Sequence, residues 1–343
     1  MKHLLALSLA AATAASAAAE DSTGLKLSVA GDIVGTMGAE QKKRLDPREA
    51  EFSLYAPVDP WFDAVMTAAA HRENGASFFE LHELYVGSTK LIPASRFRLG
   101  TFFLGVGRLN QFHRHDWPFI SAPAAHEKFF DAEGVSDTGF EYAVLLPLPF
   151  YLDLTFGLTN GWTYGHSHVE GQPPLTGTHY VRAATFTSLP ADGGLMAGLN
   201  YVGRNNTDKG QMHLTGVDLT AKWREGARLV WLMQTENWYR SLKAKNALES
   251  QRDFGGYVFN EYDWNFHDLK SGLRLDYLDG LSASTSNFQW ALMPQIAWKP
   301  SEFSTFRLAY HYQREVLGTN RDTRHVYEIQ ATFIIGAHPA HDF

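Results

Sequence analysis

The chain has 343 residues, no cysteine, 30 Lys and Arg against 37 Asp and Glu, a formal charge of −7, and 15 histidines. With no thiol, disulfides, zinc thiolates and a thiolate nucleophile are excluded, and any metal site has to be built from imidazole and carboxylate. The mildly acidic balance, with neither a basic patch nor a glycine-rich phosphate loop, excludes nucleic acid as a partner.

In chain order, residues 1–19 start with Lys2 and His3, continue through the apolar run Leu4–Ala12, and end in Ala17-Ala18-Ala19 before Glu20-Asp21. That is the layout of a cleavable secretory signal peptide, too short to span a membrane as a helix. Its removal is expected to leave a mature chain from Glu20 with one lysine fewer and a formal charge of −8. Residues 20–343 read as a single domain, and no later segment approaches the uninterrupted apolar length of a spanning helix.

From about Leu25 to Phe343, stretches of roughly ten residues alternate apolar and polar side chains, the period of a membrane-spanning β-barrel. In Tyr151–Leu158, for example, Leu152, Leu154, Phe156 and Leu158 share one face while Asp153, Thr155 and Gly157 share the other. Candidate strands fall near 25–37, 49–57, 62–72, 77–87, 96–104, 137–146, 150–159, 179–188, 193–203, 211–223, 227–240, 252–263, 266–277, 287–298, 303–314 and 325–336, sixteen in all. The expected fold is all-β: a closed antiparallel transmembrane barrel of about 16 strands, with 14 or 18 if one hairpin is merged or split. Compact connectors such as Val58-Asp59-Pro60-Trp61, Pro147-Leu148-Pro149 and Arg224-Glu225-Gly226 mark the periplasmic turns, and longer connectors alternate with them on the outer side. A soluble β-sandwich could share the slightly negative mean hydropathy, but the strand lengths and the closing aromatic Phe343 speak against it. A barrel of this size encloses an aqueous lumen.

The longest connector, about Gly105–Ser136, carries Phe112, Trp117, Phe119, Phe129 and Phe130, and is expected to fold inward as the third outer loop and narrow the pore. Within it stands His113-Arg114-His115 beside Asp116, and a second pair, His166-Ser167-His168, lies in a later outer connector. In extended backbone, residues i and i+2 point the same way, so each pair can converge on one ion with a carboxylate completing the shell. His113, His115, Asp116, His166 and His168 are therefore the candidate metal contacts, and without sulfur the set suits zinc, copper or nickel. By the alternation, Glu80, His82, Arg96, Arg98, Lys270, Arg274, Arg307 and His311 line the pore, and Glu80, His82, His71, His179 and His311 are further candidate metal ligands. Inward charges nearly balance, although Arg96, Arg98, Lys270 and Arg274 could form a local basic ladder. The plainer alternative for the histidines is that they are solvated, and for the charges that they pair across the wall. Gly165-His166-Ser167-His168 is similar to the surroundings of an outer-membrane phospholipase site, but Ser167 points away from its neighbours, so no enzyme is expected.

Phe97-Arg98-Leu99-Gly100 through Asn110, His113, His115, Pro118-Phe119, Glu133-Gly134, Asp137, Gly139 and Leu146-Pro147-Leu148-Pro149, together with the tail Gly336-Ala337-His338-Pro339-Ala340-His341-Asp342-Phe343, resemble an outer-membrane family often labelled zinc-regulated TonB-dependent receptors. The resemblance implies expression under zinc limitation, a role in metal uptake, and His113 and His115 as metal contacts. The few residues before the first strand leave no plug domain, so a plugless channel similar in architecture to phosphate-selective-type porins is expected. The expected function is passive uptake of a small solute, foremost zinc or a metal chelate. No cofactor is required, and zinc would be transported or loosely bound. Expected partners are outer-membrane lipid, the barrel-assembly machinery that reads a terminal aromatic, and further copies in a homotrimer. The alternatives are a general or anion-preferring diffusion porin and a structural or adhesive barrel.

Overall fold

In the computed structural model the alternating stretches form sixteen antiparallel strands, each bonded to its neighbours in sequence. They are β1 (Lys26–Gly38), β2 (Arg44–Pro57), β3 (Asp63–Glu73), β4 (Ala76–Ser88), β5 (Ser95–Phe103), β6 (Ser136–Leu145), β7 (Asp153–Thr159), β8 (Thr178–Leu189), β9 (Gly193–Asn205), β10 (Gln211–Glu225), β11 (Arg228–Lys243), β12 (Gln251–Asp263), β13 (Leu269–Asp279), β14 (Asn287–Ser301), β15 (Ser304–Leu317) and β16 (Asn320–Gly336). β1 pairs with β16 from Ser28↔Gly336 to Gly38↔Val326, which closes the barrel and leaves no edge. The structure describes residues 24–38, 44–73, 76–161, 177–205, 210–243, 245, 250–281 and 287–336. The expected signal peptide, the His166/His168 pair and the His338/His341 tail lie outside the described residues.

The wall has the inside-out polarity of a barrel in lipid. On β7 and β13, Leu158 is 65% and Leu273 48% exposed, whereas Arg274 and Asp276 are 1% and 4% exposed on the inner face. A soluble sandwich would bury the leucines and expose the charges, so that alternative fails. Rings gather toward both rims: Trp223 stacks on Trp231 at 4.6 Å and Trp298 on Phe306 at 5.2 Å near the short turns, while Trp290 lies 5.4 Å from Tyr312 toward the other end. These are the amphipathic girdles that sit at headgroup level.

Two strands run further than the alternation predicts. β2 starts at Arg44 rather than near 49, and β16 starts at Asn320 rather than near 325. The β15–β16 connector, expected to be one of the long ones, shrinks to Gly318-Thr319, with Gly318 at φ +62°. Polar and charged residues fill both extensions, so the apolar dyad fades although ladder pairing continues, as in Leu317↔Asn320.

The connector between β5 and β6 enters the lumen as expected. It forms short 3-10 turns at Leu109–Gln111 and Arg114–Asp116 and one helix, α1 (Ala124–Phe130). Two apolar clusters seat it on the inner wall: Leu104, Val106, Phe129 and Phe130 against Tyr180, Val202, Leu214 and Trp238, and Leu109, Trp117, Phe119 and Ile120 against Tyr257, Phe259 and Met293. At roughly 1.5–3 kcal/mol for each large side chain removed from water, this contact is a large favourable term in seating the loop. Asn110 ties the two ends of the loop together: its amide donates to the carbonyls of Leu104 (2.9 Å) and Val135 (3.1 Å), and its Oδ1 accepts from the Val135 N–H (2.6 Å). Gly107 takes φ +62°, where an added Cβ would lie 2.8 Å from the Trp238 ring, so only glycine fits there.

Candidate metal centre in the lumen

Two β-bulges set the site. Along β1–β2 the register passes from Asp32↔Glu49 to Ile33↔Pro47, leaving Arg48 without a partner position, and along β3–β4 it passes from Thr67↔Glu83 to Ala68↔Leu81, leaving out His82. A bulge turns two consecutive residues to the same side. Glu49 thus comes inward with Arg48 beside it, and His82 and Glu83 are both buried. Pro47, which cannot donate to a ladder, falls beside the first bulge.

The loop brings His113 and His115 down onto this wall. His113 Nδ1 is 2.8 Å from Glu51 Oε2 and its Nε2 is 3.0 Å from Glu83 Oε2. The His71 and His82 Nε2 atoms are 2.8 Å apart, and His82 Nδ1 is 3.5 Å from Glu51 Oε2. His71 Nδ1 is 3.4 Å from Glu133 Oε1, and His115 is 3.8 Å from Glu49 through Nδ1 and 3.4 Å from Asp116 through Nε2. Ring-centroid separations of 4.9, 6.0 and 5.8 Å join His71, His82, His113 and His115 into one row.

The donor set fits a divalent transition metal. Three overlapping groups each have donor atoms within 4.8 Å of one another: His71/Glu80/His82/Glu133, Glu51/His82/His113 and Glu49/Glu51/His115. Tetrahedral zinc with bonds near 2.0–2.1 Å puts its ligand atoms about 3.3 Å apart, inside the observed 2.8–3.8 Å spread. Glu49 Oε2, Glu51 Oε2, His71 Nδ1 and His113 Nδ1 are buried without a hydrogen bond, so the close His113–Glu51 approach is out of line for one and suits two ligands facing a common ion.

Charge points the same way. Glu49, Glu51, Glu80, Glu83, Glu133 and Asp116 crowd the histidines, and Arg114 answers Glu133 at 3.2 Å. Burial opposes a charge on His113, but Glu51 and Glu83 outweigh it and hold its pKa well above the usual histidine range. For His115 burial is likewise overcome, by Asp116 and Glu49 among others, and its pKa rises to about 9. The carboxylates thus demand a cation, which a proton or a metal ion can supply. His126 differs: packed 5.0 Å from the Trp117 ring centroid, it is pushed by burial, with Arg114 and Arg274 adding, down to about 3 and stays neutral.

Of the residues the sequence singles out, the structure unites His113, His115 and Asp116 with His71, Glu80 and His82. The other pore-lining candidates lie elsewhere. His311 pairs with Glu328 at 2.7 Å, and His179 is exposed on the outer face of β8 beside Tyr201. Arg96, Arg98, Lys270 and Arg274 form no ladder. Arg98 bonds Glu141 (2.7 Å) and the carbonyl of Phe103 at the end of its own strand (3.1 Å), and Arg274 bonds Asp276 (2.8 Å) and the Ser121 carbonyl (2.6 Å), so Arg274 also holds the loop. Lys270 is 3.5 Å from Glu261, Arg307 bonds Gln330 at 2.7 Å, and Arg96 is exposed near the short-turn end. Sequence reasoning missed Glu49, Glu51, Glu83 and Glu133 as members of the site: Glu49 and Glu83 each adjoin a bulge that breaks the dyad, and Glu133 lies in the loop, where no period applies. The Glu49-x-Glu51 spacing was the one available signal for the first of them.

No family model matches the chain. An uncharacterized protein of Aquifex aeolicus is 28% identical over an alignment covering 88% of this chain and 71% of that one. Among solved structures, an anion-selective porin from Comamonas acidovorans superposes with a TM-score of 0.66 at 9% identity, covering 91% of this chain and 100% of that one. The trimer form of OmpT, an outer membrane protein of Vibrio cholerae, gives 0.64 at 11% identity over 92% and 100% of the two chains. The outer membrane channel DcaP of Acinetobacter baumannii gives 0.63 at 10% identity over 91% and 97%. The zinc-regulated TonB-dependent receptor label finds no support in these likenesses. What the chain shares with the solved structures is their fold, a closed antiparallel barrel of the outer-membrane porin kind, with sixteen strands in this chain.

Proposed function

We propose that the protein is a porin-like channel of the outer membrane that passively admits a divalent transition metal, zinc foremost, or a small metal chelate. The observation that carries this reading is the convergence of His71, His82, His113 and His115 with Glu49, Glu51 and Glu133 from three wall strands and the inward loop. His82 belongs to two of the three donor groups and Glu51 to two, so an ion can exchange one ligand at a time along the row. Conduction needs sites of this kind, strong enough to enter and shared enough to leave. Zinc is cargo here and no cofactor is required. The short turns face the periplasm, residues 1–19 direct export, the barrel-assembly machinery inserts the chain into outer-membrane lipid, and a homotrimer, the form of one similar barrel, is the expected assembly.

The test is single-channel conductance of the refolded barrel in a planar bilayer, with and without micromolar zinc, for wild type and His113→Ala/His115→Ala. Zinc is expected to block or slow ion passage in the wild type and to leave the variant unaffected. Conductance indifferent to zinc in both proteins would remove the metal reading and leave a general or anion-preferring diffusion porin.

A further inference from the structure

Beneath the inward loop, at the short-turn end, a cavity of about 280 Å³ opens between the loop and the ends of β10–β15. Five cationic side chains line it, Arg108, Lys222, Lys270, Lys299 and Arg307, against two acids, Asp116 and Glu261. Both acids are already engaged: Glu261 lies 3.5 Å from Lys270, and Asp116 Oδ2 lies 3.4 Å from His115 Nε2. Arg307 gives one nitrogen to Gln330 at 2.7 Å, while its Nε is buried without a hydrogen bond. The lining therefore concentrates positive charge that its own acids do not balance, and like charges held this close repel one another.

We propose that this cavity is a binding site for a small oxyanion carrying two or more negative charges. The volume sits just under the range of pockets that enclose drug-sized ligands, which suits a compact anion. Lysines and arginines from separate strands can grip several oxygens at once, and paired charge on the ligand offsets their mutual repulsion. Asp116 joins this cavity to the histidine row, so anion and metal sites adjoin without sharing their cationic or imidazole groups.

The test measures block of chloride current by inorganic phosphate, added to either side of the bilayer, in wild type and in Lys222→Gln/Lys270→Gln/Lys299→Gln. A control variant, Lys26→Gln/Lys90→Gln/Arg321→Gln, removes three exposed cations outside the cavity. Saturable block is expected in wild type and control, with the apparent affinity weakened at least tenfold in the cavity variant, and perchlorate is expected to block far less than phosphate. Absence of block, equal block in the cavity variant, or perchlorate acting like phosphate each overturns the proposal. Retained zinc sensitivity in the cavity variant separates failure of this site from failure of the metal centre.

Discussion

Replacing His82 and His113 together by alanine is expected to lower the zinc affinity of the refolded barrel by roughly a hundredfold or more, since even groups that only support a ligand cost 10–100-fold when removed. The two rings stand between the outer and inner parts of the row: His82 reaches His71 on one side and Glu51 on the other, and His113 lies between Glu51 and Glu83. Without them, each of the three donor groups except Glu49/Glu51/His115 loses a nitrogen ligand. The strand ladders do not depend on these side chains, so the variant is expected to keep its heat-modifiable folded band on electrophoresis. Calorimetric titration in detergent reads the effect, and an affinity within threefold of wild type in a folded variant counts against the site.

The second large effect concerns the loop itself. Three wall donors hold carbonyls of one short loop segment: Gln295 Nε2 to Pro118 (2.8 Å), Arg48 Nη1 to Ile120 (2.7 Å) and Arg274 Nη1 to Ser121 (2.6 Å). The two arginines also neutralise buried Asp32 and Asp276. Arg48→Ala/Arg274→Ala leaves both carboxylates unpaired, at about 3–5 kcal/mol for each broken buried pair. That is enough to offset much of the loop's apolar seat, so single-channel conductance is expected to rise severalfold with added flicker while the barrel stays closed. A variant with wild-type conductance and noise would mean that the loop is held by its apolar contacts alone.

The strand pattern was open to reading because lipid and lumen impose opposite demands on alternate residues, and Leu273-Arg274-Leu275-Asp276 shows both within four positions. The inward course of the third loop was likewise legible, because Trp117, Phe119, Phe129 and Phe130 need an apolar seat and the lumen offers one. That seat itself was hidden: Leu214, Phe259 and Met293 face inward and are fully buried, whereas alternation alone assigns the inner face to polar groups. His113 and His115 could be chosen from their spacing, but their partners could not, since Glu49 and Glu83 take their places through bulges that arise only when strands pair. The basic ladder failed for a related reason. Arg98 and Arg274 share a face with other cations, yet each is drawn to an adjacent carboxylate and a backbone carbonyl.

The most direct measurement is anomalous scattering at the zinc edge from crystals of the refolded barrel grown with zinc. A difference peak about 2.1 Å from nitrogen and oxygen atoms of the His71–His82–His113–His115 row, absent from His82→Ala/His113→Ala crystals, is the predicted result. A map with no peak in the lumen, or with peaks only at surface histidines, would contradict a metal centre between the constriction loop and the wall.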